Sequence, residues 1–175
     1  NSLSGREDMR KYFKELASIW LACGLDPKKV VFYRQSRIPE VTELCWILMN
    51  VTPKGLMDRA HAYKAKVEAN LSAGKEANDG INMGLYNYPI LMAADILLFN
   101  TKFVPVGLDQ KQHVEMARDI AKAFNKKYGK SLAIPVERIT EDVKTIEGLD
   151  GRKMSKSYGN QIPLFCDENT LKKYI

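Results

Sequence analysis

Cysteine is scarce in this sequence. Cys23, Cys45 and Cys166 are far apart, odd in number and without a C-x-x-C spacing. That argues against a disulfide framework and against a zinc site, so no metal site is expected. Unpaired thiols fit a reducing compartment, and the cytoplasm is the expected location. No apolar run approaches the roughly 18 residues of a membrane-spanning helix. No charged-then-apolar leader opens the chain, so neither a membrane partner nor an export route is expected. Internal repeats and low-complexity tracts are absent as well.

What is present suits one compact domain, or one domain with an appendage: 175 residues, 45% apolar and 27% charged. Lys and Arg number 27 against 21 Asp and Glu, for a net charge of +6. A basic balance is compatible with nucleic acid or a phosphate-rich ligand, although mild positive charge singles out neither. The chain opens at Asn1 without a methionine, and residues 168–175 read as a helix still running. A fragment of a longer polypeptide is the expectation.

Ser4, with Glu7 three residues later, fits a capping box. An amphipathic helix should follow to about Ala22, with Met9, Phe13, Leu16, Ile19 and Trp20 on one stripe and Gly24 as its stop. Residues 30–33 predict a short buried strand. Pro39 suits the first turn of a helix through about Met49. Pro53-Lys54-Gly55 breaks that pattern, and a polar helix is expected from Met57 to about Ala69. Residues 70–80, rich in Ser, Gly, Asn and Ala, read as a mobile loop. Residues 89–99 predict a strongly apolar helix, residues 103–106 a strand, and residues 110–128 a helix with Val114, Ala117, Ile120, Ala121 and Phe124 inward. A further strand over 133–136, a glycine-flanked basic loop over 148–160 and a closing helix around Leu171 complete the pattern. Helices alternating with short valine-rich strands point to an α/β fold with an open, mainly parallel sheet. Ligands in such sheets sit beyond the carboxyl ends of the strands, which directs attention to the loops after Val106 and near Lys153.

Three places could carry chemistry. Lys153-Met154-Ser155-Lys156-Ser157 sets two lysines three apart, with hydroxyls between and after, in a loop flanked by Gly151 and Gly159. Mobile ammonium groups suit a polyphosphate and the charge that grows on a leaving pyrophosphate, and the alternative is a solvated basic loop. Gly107-Leu108-Asp109-Gln110 follows a strand. The glycine permits close approach to a ligand, and Asp109 is either a simple N-cap or part of a ligand site at a helix N-terminus. Asp95 shares an apolar stripe with Tyr88, Met92, Ile96 and Phe99. A carboxylate there needs a hydrogen bond, given either by the protein or by a ligand N–H such as that of an indole.

Taken together, these residues resemble the tryptophanyl-tRNA synthetases. Lys153–Ser157 equals the KMSKS signature of class I aminoacyl-tRNA synthetases. The block from Met83 to Phe99 resembles the stretch around that family's indole-binding aspartate. Val104-Pro105-Val106-Gly107-Leu108-Asp109-Gln110, running on to His113 and Arg118, is similar to its next block. Gln35-Ser36-Arg37-Ile38-Pro39-Glu40 with Glu43-Leu44 fits a third. The resemblance covers nearly the whole chain.

The resemblance implies a Rossmann-like α/β fold with a helical connective region. It divides the chain into 1–38 as part of the nucleotide-binding domain, 39–99 as the connective, dimer-forming and tryptophan-binding region, and 100–175 as the rest of the nucleotide domain. It implies that Asp95 accepts the indole N–H, that Met92, Ile96, Val104 and Val106 wall the pocket, and that Tyr88 and Gln110 hold the ammonium and carboxylate end. Gly107, Leu108 and Asp109 would contact ATP, and Ile146 would lie against adenine. Lys153, Met154, Ser155, Lys156 and Ser157 would bind phosphates. Lys66 resembles a further phosphate-contacting lysine, with a solvated helix face as the alternative. ATP with Mg²⁺ as substrate, no tightly bound cofactor, tRNA(Trp) as acceptor and a homodimer are implied in the same way. A His-Ile-Gly-His-type signature, the first βα unit and the anticodon-binding helices of the family are missing from the sequence, so the fragment alone is expected to be nearly inactive. A tyrosyl-tRNA synthetase and a non-catalytic synthetase-derived binding module are the competing readings.

Overall fold

The structure is a computed structural model that describes residues 6–139, 146–155, 158–161 and 166–173. The chain divides into two compact units, Asn1–Pro39 and Glu40–Ile175. In the first, helix α1 spans Arg6–Ala22. It stops where expected: Gly24 takes φ +99°, and Leu25 N–H reaches back to the Trp20 carbonyl at 3.0 Å. Glycine adopts that left-handed conformation without a Cβ penalty. The capping box proposed at Ser4 lies outside the described residues.

Residues 30–33 do not form the expected strand. Among the described residues they belong to no strand, and Val31 is 86% exposed. A short apolar run becomes a strand only where another strand lies beside it to share a hydrogen-bond ladder, and no described strand runs beside this one. The segment packs instead on α1, with the Trp20 and Phe32 rings stacked at 5.8 Å and the Arg34 guanidinium 4.8 Å from the Phe13 ring. The stripe of Met9, Phe13, Leu16 and Trp20 faces a cavity of about 550 Å³.

The second unit is built on α5, Met83–Leu97, which packs between α2, Glu40–Met49, and α6, Lys111–Tyr128. Ala93, Ala94, Ala117 and Ala121 are all 0% exposed, so small side chains sit where α5 and α6 approach. Leu48, Leu97 and Ile120 are fully buried, each worth about 1.5–3 kcal/mol in transfer terms. The inward set predicted for α6 is buried except Phe124, which is half-buried.

Three boundaries differ from expectation. Helix α5 begins at Met83, not at Pro89, because the Asn82 side chain caps it by accepting from Leu85 N–H at 2.9 Å. Pro89 is accommodated inside the helix, where it is buried; its missing N–H costs one helical bond, which packing offsets. The helix also ends at Leu97 rather than Phe99. After the Pro53 break, a single turn, α3 over Lys54–Met57, precedes α4 over His61–Ser72.

Residues 70–80 are an organised connection rather than the expected mobile loop. Asn70 is 2% exposed, and its amide donates to the carbonyls of Ala77 at 3.0 Å and Asp79 at 2.8 Å. One buried side chain thereby satisfies two backbone groups that would otherwise lack partners.

Strand β1, Phe103–Pro105, pairs in parallel with β2, Val136–Arg138, with Val104 opposite Glu137. Helix α6 makes the connection between them, so the unit is βαβ. The second strand starts later than the 133–136 expected. Pro135 has no N–H for a ladder, and Ala133 N–H is taken by Asn100 Oδ1 at 3.0 Å. Arg118 joins α6 to this sheet by pairing with Glu137 and donating to the Pro135 carbonyl at 3.1 Å. Among the described residues, no helix is long and apolar enough to cross a membrane. The observed class is α/β with a parallel sheet, here of two strands.

Candidate active site

The loop leaving β1 turns at Gly107 into a single 3-10 turn, Leu108–Gln110, that feeds α6. A Cβ on Gly107 would lie 2.8 Å from Asp109 Oδ1, so the glycine lets the Asp109 carboxylate fold back over the backbone. Asp109 is not the cap of α6. Gln110 holds that position without a capping bond, and its amide donates instead to Asp109 Oδ2 at 3.0 Å. Asp109 and Leu108 are exposed at the head of α6.

Tyr88, Met92, Asp95 and Ile96 follow one another along α5 at helical spacing. Ile96 is buried at 8% exposure, and the other three are half-buried. Burial pushes the Cys45 thiol of α2 above its ordinary value, and the Asp95 carboxylate pushes in the same direction, so the two side chains are electrostatic neighbours. The Tyr88 hydroxyl meets His113 Nε2 on α6 at 2.9 Å. Val104 and Val106 are half-buried at and just after β1.

An apolar groove of about 310 Å³ runs between α2 and α5, bordered by Cys45, Trp46, Met49, Tyr88 and Leu91. Of the residues expected around a bound side chain, Tyr88 borders it, whereas Met92, Asp95, Ile96, Val104 and Val106 do not. Lys66 is exposed on α4, and Ile146 is 62% exposed.

The basic loop is more ordered than its glycines suggest. Glu147 and Lys153 form an antiparallel bridge, closed by Gly148 N–H on the Arg152 carbonyl and Met154 N–H on the Ile146 carbonyl, each at 2.8 Å. Asn160, 7% exposed, ties the loop together. Its amide donates to Asp150 Oδ1 at 2.7 Å and to the Lys153 carbonyl at 3.2 Å, and its oxygen accepts from Ser155 N–H at 2.8 Å. The Asn160 bond, with help from Arg152, holds the Asp150 carboxyl down at about 2. Lys156 and Ser157 lie outside the described residues.

Sequence reasoning missed Asn160, His113 and Asn70. The signal for Asn160 lay in Gly148. A Cβ there would fall 2.5 Å from Asn160 Nδ2 and 2.6 Å from its backbone oxygen. Backbone cannot move aside as a flexible side-chain end can. We therefore expect Gly148→Ala to displace the basic loop and to destabilise the protein by about 1–3 kcal/mol, the scale of an overpacked site. Denaturant unfolding checks this; an unchanged midpoint would show that the loop does not depend on this packing.

The described residues thus hold a glycine turn after β1, a carboxylate on the stripe of α5 and a basic loop tied by Asn160. The family of class I tRNA synthetases (W and Y) matches residues 3–175, and the chain belongs to it. The tryptophan--tRNA ligase of Bordetella pertussis is 66% identical over 152 residues, which are 86% of this chain and 34% of that protein. That of Xylella fastidiosa is 60% identical over 162 residues, 92% of this chain and 37% of that protein. The chain thus spans about a third of the length of these relatives. Among solved structures, tryptophanyl-tRNA synthetase from Campylobacter jejuni complexed with ADP and tryptophan superimposes with a TM-score of 0.87. It is 47% identical, over 99% of this chain and 52% of that one.

Proposed function

We propose that these residues form the catalytic core of an enzyme that activates tryptophan with ATP and transfers it to tRNA(Trp). The observation that carries this reading is the likeness over 99% of the chain to a synthetase complexed with ADP and tryptophan. The 66% identity to a tryptophan--tRNA ligase supports the same amino acid.

In the proposed reaction the tryptophan carboxylate attacks the α-phosphorus of ATP. An oxygen–phosphorus bond forms, and pyrophosphate leaves with the electrons of the broken bond. A ribose hydroxyl of the tRNA 3′ end then displaces AMP from the mixed anhydride, giving the ester. The first nucleophile is already an anion, so no general base is required; the protein aligns reactants and stabilises charge. Asp95 would accept the indole N–H, with Met92, Ile96, Val104 and Val106 as apolar walls. Tyr88 and Gln110 would hold the ammonium and carboxylate end. Gly107, Leu108, Asp109 and Ile146 would contact the nucleoside. Lys153, Met154, Ser155, Lys156, Ser157 and Lys66 would face the phosphates. Mg²⁺ would arrive with ATP as a hard cation that keeps most of its water.

A homodimer through region 39–99 belongs to the same proposal. Trp46 is 69% exposed beside the apolar groove of α2 and α5, which supports burial of that face against a second copy.

ATP–pyrophosphate exchange by the full-length protein tests the reading. Tryptophan should drive exchange at least about 10³-fold better than tyrosine, the discrimination a site built around substrate polar groups can reach. Exchange driven by tyrosine instead would overturn it. The 175 residues alone should give close to none.

A further inference from the structure

Tyr88 on α5 and His113 on α6 are 25 positions apart, and their rings meet at 5.4 Å and 51° where the two helices pack. The hydroxyl lies 2.9 Å from Nε2. The other ring nitrogen, Nδ1, is buried and has no hydrogen-bond partner among the described residues. Buried polar atoms are nearly always paired, so this orphan calls for a physical account. A neutral imidazole carries one N–H and one lone pair, and both cannot be served here. With Nε2 accepting the Tyr88 O–H, the single proton of the neutral ring lies on Nδ1, and a second proton would bury a net charge as well, the costlier outcome. Burial accordingly pushes the His113 ring below its ordinary value, with His61 pushing the same way and Asp109 opposing.

Resting on the reading of Tyr88 as a residue of the ammonium end, we infer that His113 is a positioning residue of the amino-acid site. Its neutral ring accepts the Tyr88 O–H at Nε2, which fixes that hydroxyl and leaves the phenol oxygen an acceptor for the ligand's ammonium group. An imidazolium 2.9 Å away would occupy that oxygen with its own N–H and repel the incoming cation. The titratable groups bearing on the ring are Tyr88 from α5, His61 at the start of α4 and Asp109 in the turn before α6. His113 acts through Tyr88 and needs no contact with substrate.

Calorimetric tryptophan binding by the full-length ligase, between about pH 5 and 8, tests this. Neutral His113 is the binding form and its pKa is lowered, so affinity should decline on the acid side. His113→Gln keeps an amide in reach of Tyr88 and cannot be protonated. It should bind within about threefold of the parent near pH 8 and lose the acid decline. His113→Phe should weaken binding by about fivefold, the worth of one hydrogen bond. Its effect should vanish in a Tyr88→Phe background, since both changes remove one contact. His61→Gln removes one of the causes that lower the ring, so the acid decline should persist and move toward higher pH. An acid decline that survives in His113→Gln, or additive losses in the double variant, would overturn the inference. A parental His113→Phe beside a weakened Tyr88→Phe would overturn it alone. An unchanged Tyr88→Phe would remove the reading of Tyr88 and this inference with it.

Discussion

On the proposed function, Asp95→Ala should lower kcat/KM for tryptophan by about two to three powers of ten in the full-length protein. A hydrogen bond from a substrate N–H to a half-buried carboxylate, with the N–H left unserved once the carboxylate is gone, is worth about 3–4 kcal/mol. Asp95 is placed for this by the helix period. Tyr88, Met92 and Ile96 share its stripe, so the carboxylate follows apolar neighbours rather than solvent-facing charges. Its charge is felt by the buried Cys45 thiol, which it helps to push above its ordinary value. The sharpest assay pairs tryptophan with an analogue whose indole N–H is replaced by sulfur. The parent should discriminate strongly between them, and the alanine variant weakly, because the variant has no acceptor left to read the N–H. Undiminished discrimination in Asp95→Ala would mean that another group reads the ring nitrogen, and the role given to Asp95 would be wrong.

The parts of this fold that were legible in the sequence are those set by period and local punctuation. Helix α6 shows its stripe openly: Val114, Ala117, Ile120 and Ala121 recur at three and four, and all four are buried. Gly24 and Gly107 mark turns that the backbone makes where expected. The failures share a cause, which is that the deciding partner is remote or is backbone. Residues 30–33 carry the apolar run of a strand, yet a strand is a relation between two segments, and the partner is not in the run itself. Asn70 looks like one polar residue among many, because the carbonyls it serves have no side-chain signature. Pro89 is an ordinary helix-start signal, and only the Asn82 cap seven residues earlier shows that the helix is already under way.

The candidate site divides in the same manner. The lysine string, the glycine loop and Asp95 stand out in the sequence because each breaks a local rule: clustered like charge, a glycine at a strand end, a carboxylate on an apolar face. Their supports do not. Asn160 holds three points of the basic loop, yet from sequence it is a polar residue beside a glycine. His113 lies three positions beyond Gln110 on α6, and its pairing with Tyr88 follows from how two helices pack rather than from any motif. Positioning groups satisfy geometry set by other elements, so a single sequence rarely announces them.

Lys153→Ala and Lys156→Ala should each slow tryptophan activation by about 10²–10³, the cost of removing one preorganised group from developing charge. The tryptophan Kd should shift by no more than about twofold, since neither lysine is assigned to the amino-acid end. The argument rests on when the charge appears. Before reaction the β- and γ-phosphates already carry their charge, and an ammonium group bound equally well throughout would lower KM alone. As pyrophosphate departs, charge accumulates on the bridging oxygen, and a lysine placed for that moment raises kcat. Lys153 can be so placed because its main chain is pinned twice, by the bridge to Glu147 and by Asn160 on its carbonyl, while its side chain remains exposed. Arginine at either position should recover only part of the rate, because a planar fork does not reproduce a compact point charge. Pre-steady-state adenylate formation measured beside equilibrium binding separates the two effects. If a lysine variant loses ATP or tryptophan affinity by the same factor as it loses rate, then that lysine merely binds, and its assignment to the leaving group fails.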